Sequence, residues 1–244
     1  SPYSIELSDI LEEYVDFFKI GSGDISWPAL IKHVSKKEKP IVIATGASTL
    51  DEVTNAYLEA SKLNKNVSLL QCNTNYSGDY ENLYYSNLNV IKSYKTLFPN
   101  ALIGLSDHTR DELTVLSAVS LGAKVIEKHF TDDNLREGPD HSFAINPEKW
   151  AIMVKRTREL EIALGDGKKI IEKNELDSSI VQKRSLYAKK DFKVGDIISI
   201  NDFDALRPCQ IGSVSPRSLE KINQPILNCN LKKGDNLKWE NIKT

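Results

Sequence analysis

Cysteine is scarce in this 244-residue sequence: Cys72, Cys209 and Cys229 are odd in number, widely spaced and without a C-x-x-C pair. That argues against a disulfide framework and a structural zinc site, and it fits a reducing cytoplasm. Long apolar runs are missing as well. None approaches the ~20 residues that a membrane helix requires, and the opening Ser1-Pro2-Tyr3-Ser4-Ile5-Glu6 lacks the basic-then-apolar pattern of a signal peptide. Nor does one sign of charge dominate. With 32 basic and 34 acidic residues the formal net charge is −2, so the chain has no long-range attraction for nucleic acid or an anionic membrane. Small molecules or protein are the expected partners. What is present, 40% hydrophobic and 27% charged residues, is the composition of a globular protein with room for one large domain or two smaller ones.

Strand and helix signals alternate through the first two-thirds. Phe17 to Ile20, Pro40 to Ala44, Val67 to Gln71, Ala101 to Leu105 and Val125 to Ile126 are short apolar runs followed by polar loop chemistry, the pattern of buried parallel strands. A short helical pattern, Ser8 to Glu13, opens the chain. Ser48-Thr49-Leu50-Asp51 and Thr109-Arg110-Asp111-Glu112 read as capping boxes or their near relatives. Asn146 as N-cap, Pro147 in the first turn, a stripe of Trp150, Met153, Val154, Thr157 and Leu164, and Gly165 as terminator mark the last helix of the series. Five βα units in about 165 residues imply a parallel sheet or part of a barrel. A closed (β/α)8 barrel needs eight strands, so the expectation is a partial TIM barrel over residues 1–167, its last five βα units, in a chain that lacks the first three. An open doubly wound sheet is the alternative.

Residues 168–183 read as a lysine-rich linker, and 184–244 as a small β-rich domain built on a repeat. Phe192-Lys193-Val194-Gly195-Asp196-Ile197-Ile198 is echoed 39 residues later by Leu231-Lys232-Lys233-Gly234-Asp235-Asn236-Leu237, with each Gly-Asp pair read as a tight turn joining two short strands. At ~60 residues such a unit is marginal alone and is expected to lean on the first domain or a partner subunit.

His108 in Gly104-Leu105-Ser106-Asp107-His108-Thr109 and His129 in Glu127-Lys128-His129-Phe130-Thr131 each follow a strand. Imidazoles from adjacent strand ends can converge on one ion, and two histidines without cysteine leave positions open for substrate oxygens, as in a catalytic site. Asp107 and Glu127 could order the imidazoles or form salt bridges with Arg110 or Lys128. Lys19, followed by Ile20-Gly21-Ser22-Gly23-Asp24, reads as a phosphate or carboxylate site, or as a solvent-pointing lysine before a turn. Thr45-Gly46 and Cys72-Asn73-Thr74-Asn75-Tyr76 add polar groups at the same face. In Gly138-Pro139-Asp140-His141-Ser142, Asp140 could bind sugar hydroxyls, serve as acid or base, or shape a turn.

KIGSGD (Lys19 to Asp24), ATG (Ala44 to Gly46), GLSDHT (Gly104 to Thr109), EKHFT (Glu127 to Thr131), GPDH (Gly138 to His141) and KRSLY (Lys183 to Tyr187), in that order, resemble the N-acetylneuraminate (sialic acid) synthase family over essentially the whole chain. The resemblance implies a phosphoenolpyruvate-dependent transferase with a (β/α)8 barrel and a C-terminal antifreeze-like SAF domain, working as a domain-swapped homodimer in the cytoplasm. It makes His108 and His129 the ligands of Mn2+ or Mg2+. Lys19, Ser22 and Ser106 would hold phosphoenolpyruvate, with Asp24, Tyr76 and the catalytic Asp140 around an N-acetylated hexose. Arg207 would contact that sugar in the partner's barrel. The family's glutamate base and a further phosphate-binding lysine belong to the first barrel units, so this chain by itself is expected to have little synthase activity. Competing readings are a non-catalytic carbohydrate-binding or oligomerisation module and a Schiff-base aldolase using Lys19 or Lys128.

Overall fold

β1 (Phe18–Ile20), β2 (Ile41–Ala44), β3 (Val67–Cys72), β4 (Leu102–Asp107) and β5 (Val125–Lys128) lie side by side in chain order, every neighbouring pair parallel. The computed structural model describes residues 1–243, and these strands belong to the first of its two compact units, Ser1–Gly167. Helices α1 (Ile5–Leu11), α2 (Pro28–Ser35), α3 (Leu50–Ser61), α4 (Val90–Leu97), α5 (Leu113–Ser120) and α6 (Pro147–Leu164) alternate with them. All five expected βα units are therefore present.

Sequential strand order rules out the doubly wound alternative, which requires a reversal of order within the sheet. Right-handed crossovers after every strand put all the helices on one face. The sheet is also curled. Lys19 Nζ on β1 lies 2.7 Å from Glu127 Oε1 on β5, although in a flat sheet strands four places apart stand about 19 Å from one another. The unit is a half-barrel with helices outside.

Strand side chains alternate between the two faces. Phe18, Ile20, Ile41, Ile43, Leu69, Ile103 and Leu105 face outward and form one core with Leu30, Val34, Val53, Ile91 and Tyr94 from the helices. Ile20, Ile41, Ile43 and Leu69 are fully buried, and truncating any of them to alanine costs about 2–5 kcal/mol.

Several helix boundaries differ from expectation. α1 begins earlier, with Ser4 Oγ accepting from Leu7 N at 3.1 Å. The capping box of α3 falls on Thr49 and Glu52, one residue further along than Ser48 and Asp51. At α5 the expected box is absent: Glu112 precedes the helix without a side-chain cap, because the Thr109 hydroxyl is engaged with Asp107 and Thr114 instead. α6 starts at Asn146, which accepts from Lys149 N at 3.0 Å, and ends at Gly165 with φ of +60°. Its stripe is only partly used: Met153 packs with Val115 and Ile145, whereas Val154 and Leu164 are exposed.

The second unit begins at Lys168, and its connector is more ordered than the composition suggests, carrying α7 (Leu176–Val181). β6 (Ser185–Ala188) pairs antiparallel with β7 (Phe203–Leu206); after α8 (Pro216–Leu219), β8 (Ile226–Leu227) pairs antiparallel with β9 (Ile242–Lys243). The 39-residue repeat is a structural pseudo-twofold. Gly195 N donates to Leu227 O and Gly234 N to Ala188 O, both at 2.8 Å, while Phe192 and Leu231 exchange both backbone bonds. The Gly-Asp turns exist, but the residues flanking them pair across the halves rather than as hairpins. Leu186, Phe192, Leu227, Leu231 and Leu237 fill the shared core.

Candidate functional site

The same alternation that sends Phe18 and Ile20 outward sends Lys19 inward, with Cys72, Ser106, Glu127 and the two histidines that follow β4 and β5. The concave face is thus polar. A cleft of about 520 Å³ opens there, lined by Lys19, Ser22, Asp24, Tyr76, Ser106 and His108 among others. Six of the nine predicted site residues therefore meet in one cleft.

The Gly21–Asp24 loop is a single tight turn. Ser22 Oγ accepts from Gly46 N at 3.0 Å and lies 3.6 Å from Cys72 Sγ. Gly46 is a steric requirement: a Cβ there would sit 2.4 Å from Thr74 Cγ2 and 2.9 Å from Cys72 Sγ. Three strand-end loops thus converge on Ser22. The Cys72 thiol is pushed up by burial, above all other influences, which keeps it protonated and unreactive.

His108 is buried, and its Nδ1 lies 2.7 Å from the Asn73 carbonyl. As hydrogen-bond acceptor, that carbonyl assigns the proton to Nδ1 and leaves the Nε2 lone pair free. Burial, the largest influence, lowers the His108 pKa and so favours neutral imidazole. The His129 ring lies 5.0 Å away, centroid to centroid, with Tyr76 at 4.3 Å from His108 and 5.6 Å from His129. Asp140 Oδ2 approaches His129 Nδ1 at 3.4 Å. Asp140 therefore joins the group through His129. Arg207 belongs to the second unit, directly after β7.

Two imidazoles suit a divalent cation of borderline softness, and Glu127 Oε2 is a buried oxygen with no hydrogen-bond partner in reach among the described residues. Among the described residues, however, no set of three or more His, Cys, Asp and Glu side chains is arranged around a common point. The donor set fits an ion whose remaining positions are filled by water or substrate.

Of the expected alternatives Asp107 takes the salt bridge to Lys128, whereas Glu127 takes none of them. Asp107 does not order an imidazole. Being one residue before His108 it faces outward, where it receives bonds from Lys128 at 2.6 Å and Thr114 at 2.7 Å. Lys128 also donates to the Thr109 carbonyl and is buried. It is thus a structural tie and lies outside the cleft. Glu127 pairs with Lys19 rather than with Arg110 or Lys128, so Lys19 is not a solvent-pointing lysine. Arg110 donates to the Gly78 carbonyl at 2.8 Å. The signal for the Lys19–Glu127 pair was the shared parity of Glu127 and His129, two residues apart on one strand.

Residues 1–169 match the NeuB family. The chain is similar to the N,N'-diacetyllegionaminic acid synthase of Campylobacter jejuni, at 36% identity over 85% of this chain and 62% of that protein. It is 35% identical to the human N-acetylneuraminate-9-phosphate synthase over 77% of this chain and 51% of that one. Among solved structures, the N-acetylneuraminic acid synthetase of Leptospira borgpetersenii in complex with citrate superposes with a TM-score of 0.67 and 28% identity, covering 72% of this chain and 61% of that one. The chain thus spans less than two-thirds of the length of each of these relatives.

Proposed function

The chain belongs to the NeuB family, and from that premise we propose that the whole protein condenses phosphoenolpyruvate with N-acetylmannosamine or a related N-acetylated hexose, releasing phosphate and forming a nine-carbon 2-keto acid. The observation that carries this reading is the single concave cleft in which the Lys19–Ser22 loop faces His108, with His129 5.0 Å further on.

Lys19 and Ser22 suit an anionic phosphate, the ammonium supplying charge and the glycine-flanked hydroxyl a close hydrogen bond. Ser106, buried on β4, adds a hydroxyl to the same anion. Asp24, Tyr76 and Asp140 would surround the sugar. His108 and His129 would hold a Mn2+ or Mg2+ ion, which as a Lewis acid polarises the aldehyde of the open-chain sugar. C3 of phosphoenolpyruvate forms the new bond to the aldehyde carbon, water adds at C2, and the C–O bond to phosphate breaks. His108, held by Asn73, and Tyr76, packed on both imidazoles, fix the geometry of the acceptor side.

For the second unit the reading is an SAF domain over residues 184–244, joined by the 168–183 linker. Its Arg207 would reach the sugar in the partner of a domain-swapped cytoplasmic homodimer. The pseudo-twofold core supports an independent small domain of this kind. Phosphate release from phosphoenolpyruvate, with Mn2+ and N-acetylmannosamine or a 2,4-diacetamido-trideoxyhexose, tests the proposal. Failure to release phosphate or form a keto acid with every such sugar overturns it.

A further inference from the structure

A second cleft, of about 610 Å³, lies on the helix-facing side of the half-barrel, between the ends of β2 and β3 and the helices α3 and α4. Its character differs from that of the first. Thr45, Gln71, Tyr85, Asn87, Ser93 and Tyr94 line it, and none of its lining side chains among the described residues is charged.

Gln71 is 7% exposed. Its Nε2 donates to the Ser86 carbonyl at 3.1 Å, which fixes the amide, and its Oε1 receives no hydrogen bond from the described residues. That oxygen is not sealed off, since the one buried side-chain oxygen without a partner among the described residues is Glu127 Oε2, and the Gln71 oxygen stays open as an acceptor for a donor entering the cleft. Nearby, Tyr94 donates its hydroxyl to Thr45 Oγ1 at 3.1 Å, and Thr45 donates to the Leu70 carbonyl at 2.9 Å. The Tyr94 oxygen is thereby fixed with lone pairs to spare. Tyr85, 68% exposed, offers an aromatic face at the rim.

We infer that this cleft binds a small neutral polyhydroxylated molecule, a free hexose or its N-acetylated form. Hydroxyl donors match Gln71 and Tyr94, the apolar face of a sugar ring matches Tyr85, and the absence of counter-charge disfavours phosphorylated or carboxylated molecules. The site is not isolated from the first cleft. Ala47 and Ser48 line both, directly after Gly46, whose amide holds Ser22. An occupant of the second cleft restrains this loop and so changes anion affinity in the first, and the coupling is reciprocal.

The test is titration of the 15N-labelled chain with N-acetylglucosamine, reading the amides of Asn87, Ser93 and Tyr94. Saturable shifts at these positions are expected. They should weaken by at least about tenfold in Gln71→Leu and in Ser93→Trp; Ser93 is an exposed α4 residue, so the indole fills the cleft without entering the core. No saturable shift, equal affinity in a folded Ser93→Trp variant, or shifts confined to Lys19, Tyr76 and His108 overturns the inference. The readout is binding at a separate place, so it stands or falls independently of synthase activity.

Discussion

Lys19 and Glu127 stand at the two edges of the five-stranded sheet and yet form an ion pair of 2.7 Å across its concave face. The contact measures the curl of the sheet and also neutralises the lysine that the anion loop presents. An incoming phosphate must compete with Glu127 for Lys19. Replacing Glu127 by glutamine should therefore tighten the binding of inorganic phosphate in metal-free buffer. Both side chains are partly exposed, which limits the gain to about 1 kcal/mol, or roughly fivefold. Lys19→Met should abolish binding. Calorimetry that finds wild-type affinity in both variants removes Lys19 from the anion site.

Asp107 and Lys128 form the opposite kind of pair, with side-chain exposures of 3% and 1%. Removing one partner leaves the other charge buried, at a cost of about 3–5 kcal/mol, whereas removing both is milder. Urea denaturation should place Lys128→Met far below wild type and Asp107→Leu/Lys128→Met above the single variant. A double variant as unstable as the sum of the singles would show that the two residues act separately.

These two pairs show what was legible in the chain. The strands, their order of appearance and the loops that end them follow from short apolar runs, and six of the expected site residues line one cleft because each lies at or after the end of such a run. What escaped was parity. Asp107 and His108 are neighbours in sequence but face opposite sides of β4, and Glu127 shares the inner face with His129 because two residues separate them. Curvature escaped as well, since no local pattern reveals that the first and last strands meet. The Thr109 cap failed for a tertiary reason: buried Asp107 recruited its hydroxyl.

Gly104 on β4 is required by the neighbouring strand. A Cβ there would lie 2.2 Å from the Val125 carbonyl oxygen and 2.5 Å from Leu70 Cδ2, whereas one on Gly23 meets nothing within 4 Å. Gly104→Ala should destabilise by about 1–3 kcal/mol, since backbone rather than a flexible side chain must yield, and Gly23→Ala should melt as wild type. Equal melting of the two variants would contradict this packing.

The pseudo-twofold of the second unit predicts equal sensitivity at related positions. Gly195 and Gly234 have φ of +91° and +89°, a conformation that strains any residue with a Cβ, and each donates its amide to the other half. Alanine at either position should cost the same, about 1 kcal/mol or more. Losses that differ severalfold in thermal or urea melts would show that the halves are not equivalent.

A pH dependence follows from the ties between α1 and α2. Asp9 accepts from Lys37 at 2.5 Å and lies 2.7 Å from His33 Nε2. The hydrogen bond from Lys37, then that from His33, holds the Asp9 carboxyl below its usual range, while Asp9 and then Glu12 raise the Lys37 ammonium. A carboxyl depressed on folding contributes stability that is present above the unfolded value, about 3.9, and is lost as pH falls through the folded one. A raised lysine contributes below its unfolded value, about 10.4, and loses this as pH rises through the folded one. Asp9→Asn should therefore melt below wild type at neutral pH, and the gap should close as acid protonates Asp9. Thermal melts from neutral to strongly acidic pH check this, and a gap that stays constant with pH would mean that Asp9 stabilises the fold by shape rather than by charge.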